Sequence, residues 1–345
     1  MIGGMFPVAL GGGSPLHFYM VNAMVTVDFV SSSSSSSSSS LSFDSLDLSP
    51  VMVAFPVSAR LMDLYRESLR GAFPAVMAAY AADDTAAIFR VSSVEKLDGL
   101  GSWSVQAGLT CPGSVDDAGV VANVCAGCYA LRHTYISQNV VAHRSRNTLT
   151  ALLAVSFPDY RAKFVAAAVA EISALVDTQS AAAAAAKKYG TKSPFVGARG
   201  FFRLFDSGDF FCPALVEIWG EIIAAINRDG LKCRFWVPSR TRFLPAFSAA
   251  FDAFEKIPGV ALRASSDNFD GSLSNPSART VVADFHNADH VKNLDALSAF
   301  RCGAAGRGGK CGPCRVCFSN SKIVAYPAHG AGAGAYKKIA LAAVK

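Results

Sequence analysis

Cysteine is the residue type in this chain best suited to chemistry, and its spacing is uneven. Seven of the nine cysteines fall in two groups. In a reducing compartment, cysteines separated by two residues indicate metal or redox chemistry rather than disulfides. The sequence therefore predicts two metal sites. The first cysteine group is Cys111, Cys125 and Cys128, and the second cysteine group is Cys302, Cys311, Cys314 and Cys317.

The first cysteine group lies in the segment CPGSVDDAGVVANVCAGCYA (111–130), which is predicted to be a long loop between a strand and a helix. Three thiolates from one loop can hold three irons of a [4Fe–4S] cluster and leave the fourth iron open for a substrate or cofactor. This interpretation is favoured. The alternatives are a structural zinc site completed by His133 or His143, and thiols without a metal.

The second cysteine group contains a C-x2-C-x2-C run, which resembles the ferredoxin-type arrangement. Glycines around it would let the backbone pass close to a metal. Four cysteines would close the coordination shell of a metal, so a structural or electron-relay role is expected. A second iron–sulfur cluster and a zinc ion are both possible occupants. A third possibility is that one of these cysteines completes the first site. The isolated Cys212 and Cys233 are interpreted as small core side chains.

An acidic turn, Asp206-Ser207-Gly208-Asp209, follows a predicted buried strand. Its two carboxylates could bind an amine or act as acid and base. Asp209 could equally cap the helix that begins near Cys212. Arg240 is a candidate catalytic residue and, with Arg242, a candidate anchor for a carboxylate or phosphate; the alternative is a solvated basic loop.

Other polar residues carry weaker signals. His286 and His290 have the i, i+4 spacing that could bind a metal from one helical face, but no third ligand is identifiable. His329 fits a site and a surface position equally well. Polar residues within or just beyond predicted strands could face one mouth of the sheet; they are Arg203, Arg240, Arg263 and Asp284.

The elements that must position these residues alternate between strands and helices. Predicted helices cover 57–80 (ended or kinked at Pro74), 137–188 (broken near Pro158), 212–228, 244–257 and 288–299. Predicted strands cover 101–110, 200–205, 231–238, 260–265, 279–285 and 322–327. Such alternation predicts an α/β fold with a mainly parallel sheet. Because consecutive parallel strands usually neighbour each other, 200–205 should lie beside the strand that leads to Cys111.

Length and composition set the limits of this interpretation. The chain has 345 residues, of which 51% are hydrophobic and 17% charged, and a formal net charge of +6. A chain of this size can bury a large core, which excludes wholesale disorder and a disulfide-dependent miniprotein. The predicted division is a disordered Ser/Gly-rich tail (1–50, with serine throughout 31–40), a helical extension (51–100), an α/β cysteine-cluster domain (101–330) and a C-terminal tail (331–345).

The same counts restrict location and partners. No run reaches the roughly 18 apolar residues of a membrane span, and the apolar start lacks the basic region of a signal peptide. A cytoplasmic protein without a membrane partner is therefore expected. The modest charge permits an anionic ligand without requiring nucleic acid. An alternative to an enzyme is a non-catalytic, zinc-stapled protein that binds nucleic acid through Arg240, Arg242 and the loop 301–315.

Several motifs follow one another along the chain: TCPG (110–113), CAGCYA (125–130), RSRN (144–147), FDSGDF (205–210), FWVPSRT (235–241), CGPCRVC (311–317) and YPAH (326–329). Taken in this order, they resemble the phage gene product 88 family over roughly residues 100–330. That family is similar to radical S-adenosylmethionine (SAM) enzymes, as the C-x-x-C-Y-A stretch suggests. The resemblance implies a partial (β/α) barrel of about six mainly parallel strands, and a virus- or phage-encoded protein in the host cytoplasm.

The resemblance also implies roles for the site residues. In radical SAM enzymes the cluster loop follows the first strand, and a short acidic motif containing glycine holds the amino group of SAM. Here that implies a [4Fe–4S] cluster on the first cysteine group, with SAM held by Ser207, Gly208 and Asp209. The usual spacing is C-x3-C-x2-C, whereas 13 residues separate Cys111 from Cys125. The substrate that the resemblance implies is a small or nucleotide-like molecule.

Overall fold

The computed structural model describes residues 41–49, 58–93, 100–115, 121–190 and 200–328. Its helices are α1 (Ala59–Ala81), α2 (Thr85–Ile88), α3 (Asn123–Ala126), α4 (Gln138–Ser156), α5 (Pro158–Tyr189), α6 (Pro213–Ile226), α7 (Ser248–Phe254) and α8 (Ala288–Ala296). Its strands are β1 (Ser92–Ser93), β2 (Gly101–Trp103), β3 (Gly200–Leu204), β4 (Cys233–Ser239), β5 (Val260–Ala264), β6 (Thr280–Ala283), β7 (Phe300–Arg301) and β8 (Val324–Pro327).

Local sequence signals account for the helix boundaries. Pro158 and Pro213 each occupy the first turn of a helix, where the missing N–H needs no partner. The predicted break near Pro158 is therefore the boundary between α4 and α5. The side chain of Ser58 accepts the N–H of Leu61 and caps α1. Of the two effects predicted for Pro74, a helix end or a kink, the end does not occur, because α1 continues to Ala81.

The strands form two sheets. The first has the order β1-β2-β3-β4-β5, in which β2 to β5 are parallel and β1 is antiparallel to β2. The second has the order β6-β8-β7 and is parallel throughout. A parallel bridge between Ser265 and Thr280 links the end of β5 to the start of β6. The fold is thus mixed α/β with parallel sheets, as predicted.

The predicted pairing of the strand at 200–205 with the strand before Cys111 is confirmed, because β2 and β3 are neighbours with Gly101 opposite Phe202. The strand β2 is shorter than expected and ends at Trp103. Beyond it, residues 104–110 bond to the loop after β3 and to α4 instead of extending the ladder. The carboxyl ends of β2, β3 and β4 consequently lie at one edge of the first sheet.

The two faces of the first sheet are covered differently. Side chains alternate between the faces of a strand, so Phe202 and Phe235 enter the main core with the helices, whereas Phe201 and Trp236 point the other way. In the main core, Trp103 packs against Phe89, Phe164, Phe205 and Trp219. Helix α4 packs against α1 and α5, and α5 packs against α6.

Among the described residues, α5 is the one helix whose length and apolar composition would allow it to cross a membrane. In the structure the buried side of α5, including Phe164, Ala168 and Ile172, lies in the main core. One side of α5 therefore packs in the main core.

The end of the predicted disordered tail is described and has contacts. A short 3-10 helix spans Phe43–Ser45. Apolar side chains of this segment pack against the main core; they are Leu41, Phe43, Leu46 and Leu48. The rings of Phe43 and Phe73 lie 5.9 Å apart. The remainder of the predicted tail, residues 1–40, the C-terminal tail 331–345 and His329 lie outside the described residues.

Candidate functional site

Three loops meet at the carboxyl edge of the first sheet. The N–H of Val105, after β2, donates to the carbonyl of Ser207, after β3, at 3.2 Å, and the Ser207 hydroxyl donates back to the Val105 carbonyl at 2.9 Å. The N–H of Asp209 donates to the Thr110 carbonyl at 3.1 Å. The acidic turn therefore lies directly against the segment that leads into Cys111.

Gly208 is required by the packing of these two loops. Its φ is +76°, a left-handed conformation that residues with a Cβ rarely adopt. A Cβ at this position would lie 2.4 Å from Cγ2 of Val105 and 2.6 Å from Oγ1 of Thr110. In the structure, Gly208 thus lets the protein's own chain, at Val105 and Thr110, come close to its backbone.

Asp209 ties the loop after β3 to the loop after β4. Its carboxylate accepts three backbone N–H groups, from Phe210 at 2.8 Å, Arg240 at 2.8 Å and Thr241 at 3.2 Å. Burial raises the pKa of Asp209, and these N–H groups act in the opposite direction. The N-cap of α6 is Cys212, with no side-chain cap, so Asp209 does not cap that helix.

The first cysteine loop also contacts the loop after β4. A Cβ on Gly113 would lie 2.7 Å from both the carbonyl carbon of Arg240 and the nitrogen of Thr241. The turn that begins at Cys111 therefore rests on the backbone that Asp209 holds. Sequence reasoning placed Asp209 and Arg240 in one site, and the structure does bring them together, although through the Arg240 backbone.

The three thiols of the first cysteine group are electrostatically coupled. Burial raises the pKa of each, that of Cys125 to about 11 and that of Cys111 well above its usual value. The negative charges of the Asp209 carboxylate and of the Cys125 and Cys128 thiolates raise the pKa of Cys111 further. The guanidinium of Arg240 lowers the pKa of Cys125 and Cys128. These groups therefore lie within electrostatic reach of one another.

At the first cysteine group, the chemistry of the sulfur donors suits a metal, but their arrangement does not. Three sulfur ligands near a cation suit a thiolate-bound metal or cluster. Within the part of the chain that the structure describes, however, no three Cys, His, Asp or Glu side chains converge closely enough to hold a metal ion. The nine cysteines all lie in that part, and none forms a disulfide. The side chain of His143 bonds to Ser92, with 2.6 Å between Nε2 and Oγ.

Asp206 is the centre of a buried polar network that sequence reasoning found only in part. Its carboxylate pairs with Arg203 at 2.8 Å and with Arg144 at 3.6 Å, and accepts the hydroxyl of Tyr135 at 2.7 Å. The hydroxyl of Tyr129 donates to the Asp206 carbonyl at 2.6 Å. Arg144 and Tyr129 belong to the RSRN and CAGCYA motifs, which is the signal that could have drawn attention to them.

The candidate anion anchors are paired with carboxylates. The guanidinium of Arg240 contacts Asp267 and donates to the Ser266 carbonyl at 3.0 Å. The guanidinium of Arg242 pairs with Asp252 and Glu255, each at 2.7 Å. Both side chains therefore already neutralise acidic partners within the protein.

The second cysteine group lies against the face of the first sheet opposite the helices. Cys311, Cys317 and Tyr326 pack against a cluster of Leu100, Phe201, Trp236 and Phe318. The sulfur of Cys317 lies 3.1 Å from the Tyr326 hydroxyl. Burial raises the pKa of Cys317 to about 11, and the neighbouring Cys302 and Cys311 contribute in the same direction.

Arg263 holds this loop in place. Its side chain is fully buried, and its guanidinium donates to the carbonyls of Val316, Cys317, Ser319 and Lys322. A buried guanidinium is tolerated where its donors and charge are satisfied by oxygen atoms. Arg263 thus lies in an apolar strand because it anchors the second cysteine loop. It does not face an open site at the carboxyl edge of the sheet.

The remaining candidates have local partners. The ring Nδ1 of His290 accepts the N–H of Asp284 at 3.1 Å, and the Asp284 carboxylate accepts the N–H of His286 at 3.0 Å. These contacts organise the start of α8. Cys233 is fully buried and Cys212 packs against the main core, which confirms their interpretation as core side chains.

Comparison with known proteins adds one finding. The family model of gene product 88 matches residues 79–328, a range that contains both cysteine groups, the acidic turn and the Asp206 network. Neither a curated protein nor a solved structure matches the chain. Because the family model covers well over half of the sequence, the chain belongs to the gene product 88 family.

Proposed function

We propose that this protein is an iron–sulfur protein of radical SAM-like type, with a [4Fe–4S] cluster on Cys111, Cys125 and Cys128. One observation carries the proposal. The first cysteine loop lies at the carboxyl edge of a parallel sheet, against both the acidic turn and the loop after β4. Ligands of open α/β sheets and barrels bind at this edge.

The strand order supports the barrel that belongs to this proposal. From β2 to β5, consecutive strands are parallel neighbours. The bridge from Ser265 to Thr280 continues the order toward β6. A partial (β/α) barrel has the same succession of strands, and its cluster loop would follow β2, as the first cysteine loop does.

A [4Fe–4S] cluster held by three thiolates has one open iron for a ligand and, when reduced, can supply an electron to SAM. The chain's own residues prepare the thiols. Arg240 favours the thiolate form of Cys125 and Cys128, because its positive charge lowers their pKa. Loading must also bring the three sulfur atoms together, since they do not converge in the described structure.

In this proposal the acidic turn holds neighbouring loops in place. The hydroxyl of Ser207 and the carboxylate of Asp209 both bond to backbone groups of neighbouring loops. Asp209 therefore fixes the loops on which Cys111 and Arg240 lie, and is a positioning residue. Asp206, paired with Arg144 and Arg203, anchors Tyr129 immediately after Cys128.

The second cysteine group is proposed as a second metal site, with zinc or a further iron–sulfur cluster as its occupant. Its loop is anchored by Arg263 and packed on the first sheet. Four thiols in an anchored loop suit a closed structural or electron-relay site.

The contacts of the basic residues favour this function over a zinc-stapled nucleic-acid-binding protein. Arg240, Arg242 and Arg301 each pair with a carboxylate of the protein. Binding to phosphates would have to break those pairs or rely on other basic residues. A metal-dependent protein that takes a small-molecule ligand fits these contacts better.

The test is to express the full chain anaerobically and to measure iron, acid-labile sulfide and zinc. Bound iron and sulfide are expected, and Cys128→Ser should lose the share that belongs to one [4Fe–4S] cluster, whatever the second cysteine group holds. The matched control Cys212→Ser removes a thiol outside both groups and should retain them. Zinc without iron in the wild-type protein, or full iron content in Cys128→Ser together with Cys111→Ser, would overturn the cluster assignment.

SAM use is tested on the iron-loaded protein. Electron paramagnetic resonance of the reduced protein should change on addition of SAM, and 5′-deoxyadenosine should form. An unchanged spectrum without that product would remove SAM from the proposal and leave the cluster in place.

A further inference from the structure

Four polar residues are buried behind the first cysteine loop. We call them the Arg144 cluster: Tyr65 of α1, Gln106 in the segment after β2, and Arg144 and Ser145 of α4. The side chain of Arg144 is 7% exposed, and the other three residues are fully buried. Three separate elements thus direct polar side chains into one interior region.

Polar atoms of this cluster have few hydrogen-bond partners. Within the described residues, none is found for Arg144 Nη1 or Ser145 Oγ, and for Tyr65 Oη and the Gln106 amide none is found apart from each other. Buried polar side-chain atoms are nearly always paired with protein or ordered water, and each exception needs an explanation. Several exceptions in one place indicate a missing partner molecule.

Three members of the cluster, Tyr65, Gln106 and Arg144, are near one another, and Tyr65 is near the thiols. The N–H of Gln106 donates to Thr148 Oγ1 at 2.9 Å, and that hydroxyl donates to the Arg144 carbonyl at 2.8 Å. Burial raises the pKa of Tyr65 to about 12; the Gln106 amide lowers it, and the charges of Cys128, Arg144 and Cys111 also act on it. At neutral pH the Tyr65 hydroxyl is therefore a hydrogen-bond donor close to Arg144 and the first cysteine group.

The charged side chains around the Arg144 cluster indicate the charge of the missing partner. Two guanidinium groups, those of Arg144 and Arg203, share the single carboxylate of Asp206. All three residues are buried, and Arg203 Nε also has no partner among the described residues. Burying an uncompensated positive charge is strongly unfavourable. Water would satisfy the hydrogen bonds but would not balance this charge.

We infer that the Arg144 cluster binds the oxyanion group, a carboxylate or phosphate, of a small-molecule ligand beside Cys111 and Cys128. Arg144 Nη1, Gln106 Nε2 and Tyr65 Oη are the donors. A guanidinium with neutral donors suits an oxyanion and disfavours a cation. The site consists of protein groups alone, so it stands whether or not the thiols bind iron.

The probes for this inference are inorganic phosphate and acetate. Thermal unfolding of the full chain is followed as either anion replaces chloride at constant ionic strength and neutral pH. A ligand of the folded state raises the melting temperature with concentration, from which an affinity follows. We expect such a rise with at least one probe. Phosphate alone would indicate a phosphorylated ligand, and acetate alone would indicate a carboxylate ligand.

Two matched substitutions on α1 locate the effect. Tyr65→Phe removes one proposed donor and should weaken anion affinity about five- to tenfold, as expected for one buried hydrogen bond. Tyr80→Phe is the control, because the Tyr80 hydroxyl is buried but already donates to the Thr150 carbonyl at 3.2 Å. That variant should bind the probe as the wild-type protein does. Arg144→Met should abolish binding.

Two results would overturn the inference. One is the same melting temperature in phosphate, acetate and chloride. The other is equal anion affinity in Tyr65→Phe and Tyr80→Phe, which would place the bound anion elsewhere on the protein. If Arg144→Met does not fold, the comparison of the two tyrosine variants decides alone.

Discussion

Charged side chains at the carboxyl edge of the first sheet act mainly on the protein's own backbone. Asp209 accepts three N–H groups, Arg263 donates to four carbonyls of the second cysteine loop, and Arg240 donates to the Ser266 carbonyl. Apart from the bond between Asp209 and the adjacent Phe210, each interaction joins segments distant in sequence. At the residue scale, these side chains are cross-links that hold loops in position.

Replacing Asp209 with Ala should destabilise the protein without any ligand. The substitution leaves three N–H groups without their acceptor at a site where Asp209 is 6% exposed. Each unsatisfied buried group costs about 1–3 kcal/mol, so a loss of about 3 kcal/mol or more in the free energy of unfolding is expected. Urea unfolding measures it. The exposed Asp289→Asn should change that value by less than about 0.5 kcal/mol. Equal losses in the two variants would contradict the cross-linking role.

Stability should depend on pH through His143. Burial lowers its pKa below the usual 6.5, and the charges of Arg90, Arg144 and Arg146 act in the same direction. Between the folded pKa and 6.5 the unfolded chain binds more protons, so stability falls as the pH drops below 6.5. Urea unfolding at neutral and mildly acidic pH should show this fall.

His143→Gln tests the assignment. His143 lines a surface pocket of about 530 Å³ with Arg90, Arg146 and Glu67, so other charges act there too. The variant should lose less stability on acidification than the wild-type protein does. The same pH dependence in both proteins would show that another group titrates in this range.

At the scale of elements, the site depends on close packing between loops after consecutive strands. Gly208 lets the loop after β3 touch the segment after β2, and Gly113 lets the first cysteine loop touch the loop after β4. Helix α4 adds a third support, because the Asn147 side chain donates to the Ser104 carbonyl at 2.9 Å. The position of Cys111 is thus set by neighbours on three sides.

Gly208→Ala should therefore be far more damaging than an alanine at another glycine with positive φ. Gly190, after α5, has a φ of +65°. Outside its own helix and its chain neighbours, no atom of the described residues lies within 4 Å of the position that a Cβ would take. Gly190→Ala should therefore cost only about 1 kcal/mol of backbone strain. Gly208→Ala adds clashes with Val105 and Thr110, and should cost about 3 kcal/mol or more. Urea unfolding of both variants gives the comparison. Similar losses would mean that the two loops separate easily.

At the scale of the whole molecule, both cysteine groups depend on the first sheet. The first lies at its carboxyl edge, and the second lies on the face opposite the helices. The main core between that sheet and the helices also receives the segment before α1, through side chains such as Phe43. Residues just before α1 therefore contribute to the same core that supports the site.

Two N-terminal deletions should differ in stability. Removing residues 1–40 retains the packing of Leu41, Phe43, Leu46 and Leu48, whereas removing 1–50 eliminates it. Loss of these partly buried side chains should cost about 2 kcal/mol or more. The measurement is urea unfolding of the two truncated chains under the same conditions. Equal free energies of unfolding would show that the contacts of this segment contribute nothing.

The sequence by itself determined the order and type of most elements, because these depend on local patterns. Proline at 158 and 213 marks the first turns of α5 and α6, and alternating apolar runs predict β3 to β6 and β8. The chain order of strands and helices was also sufficient to predict that β2 and β3 pair. The short β1 and β7 were missed, since two residues form no recognisable pattern.

Only the tertiary structure decided what the polar residues of the site contact. The Asp209 carboxylate meets the N–H of Arg240 across 31 residues of chain, and the N–H of Asp206 meets the Ser104 hydroxyl across 102 residues. Residue types and spacing indicated that Asp206, Asp209 and Arg240 were suited to chemistry, but not which atoms would satisfy them. Those partners come from the parallel pairing of strands and the packing of their loops, which bring distant segments together and leave the Arg144 cluster buried beside the thiols.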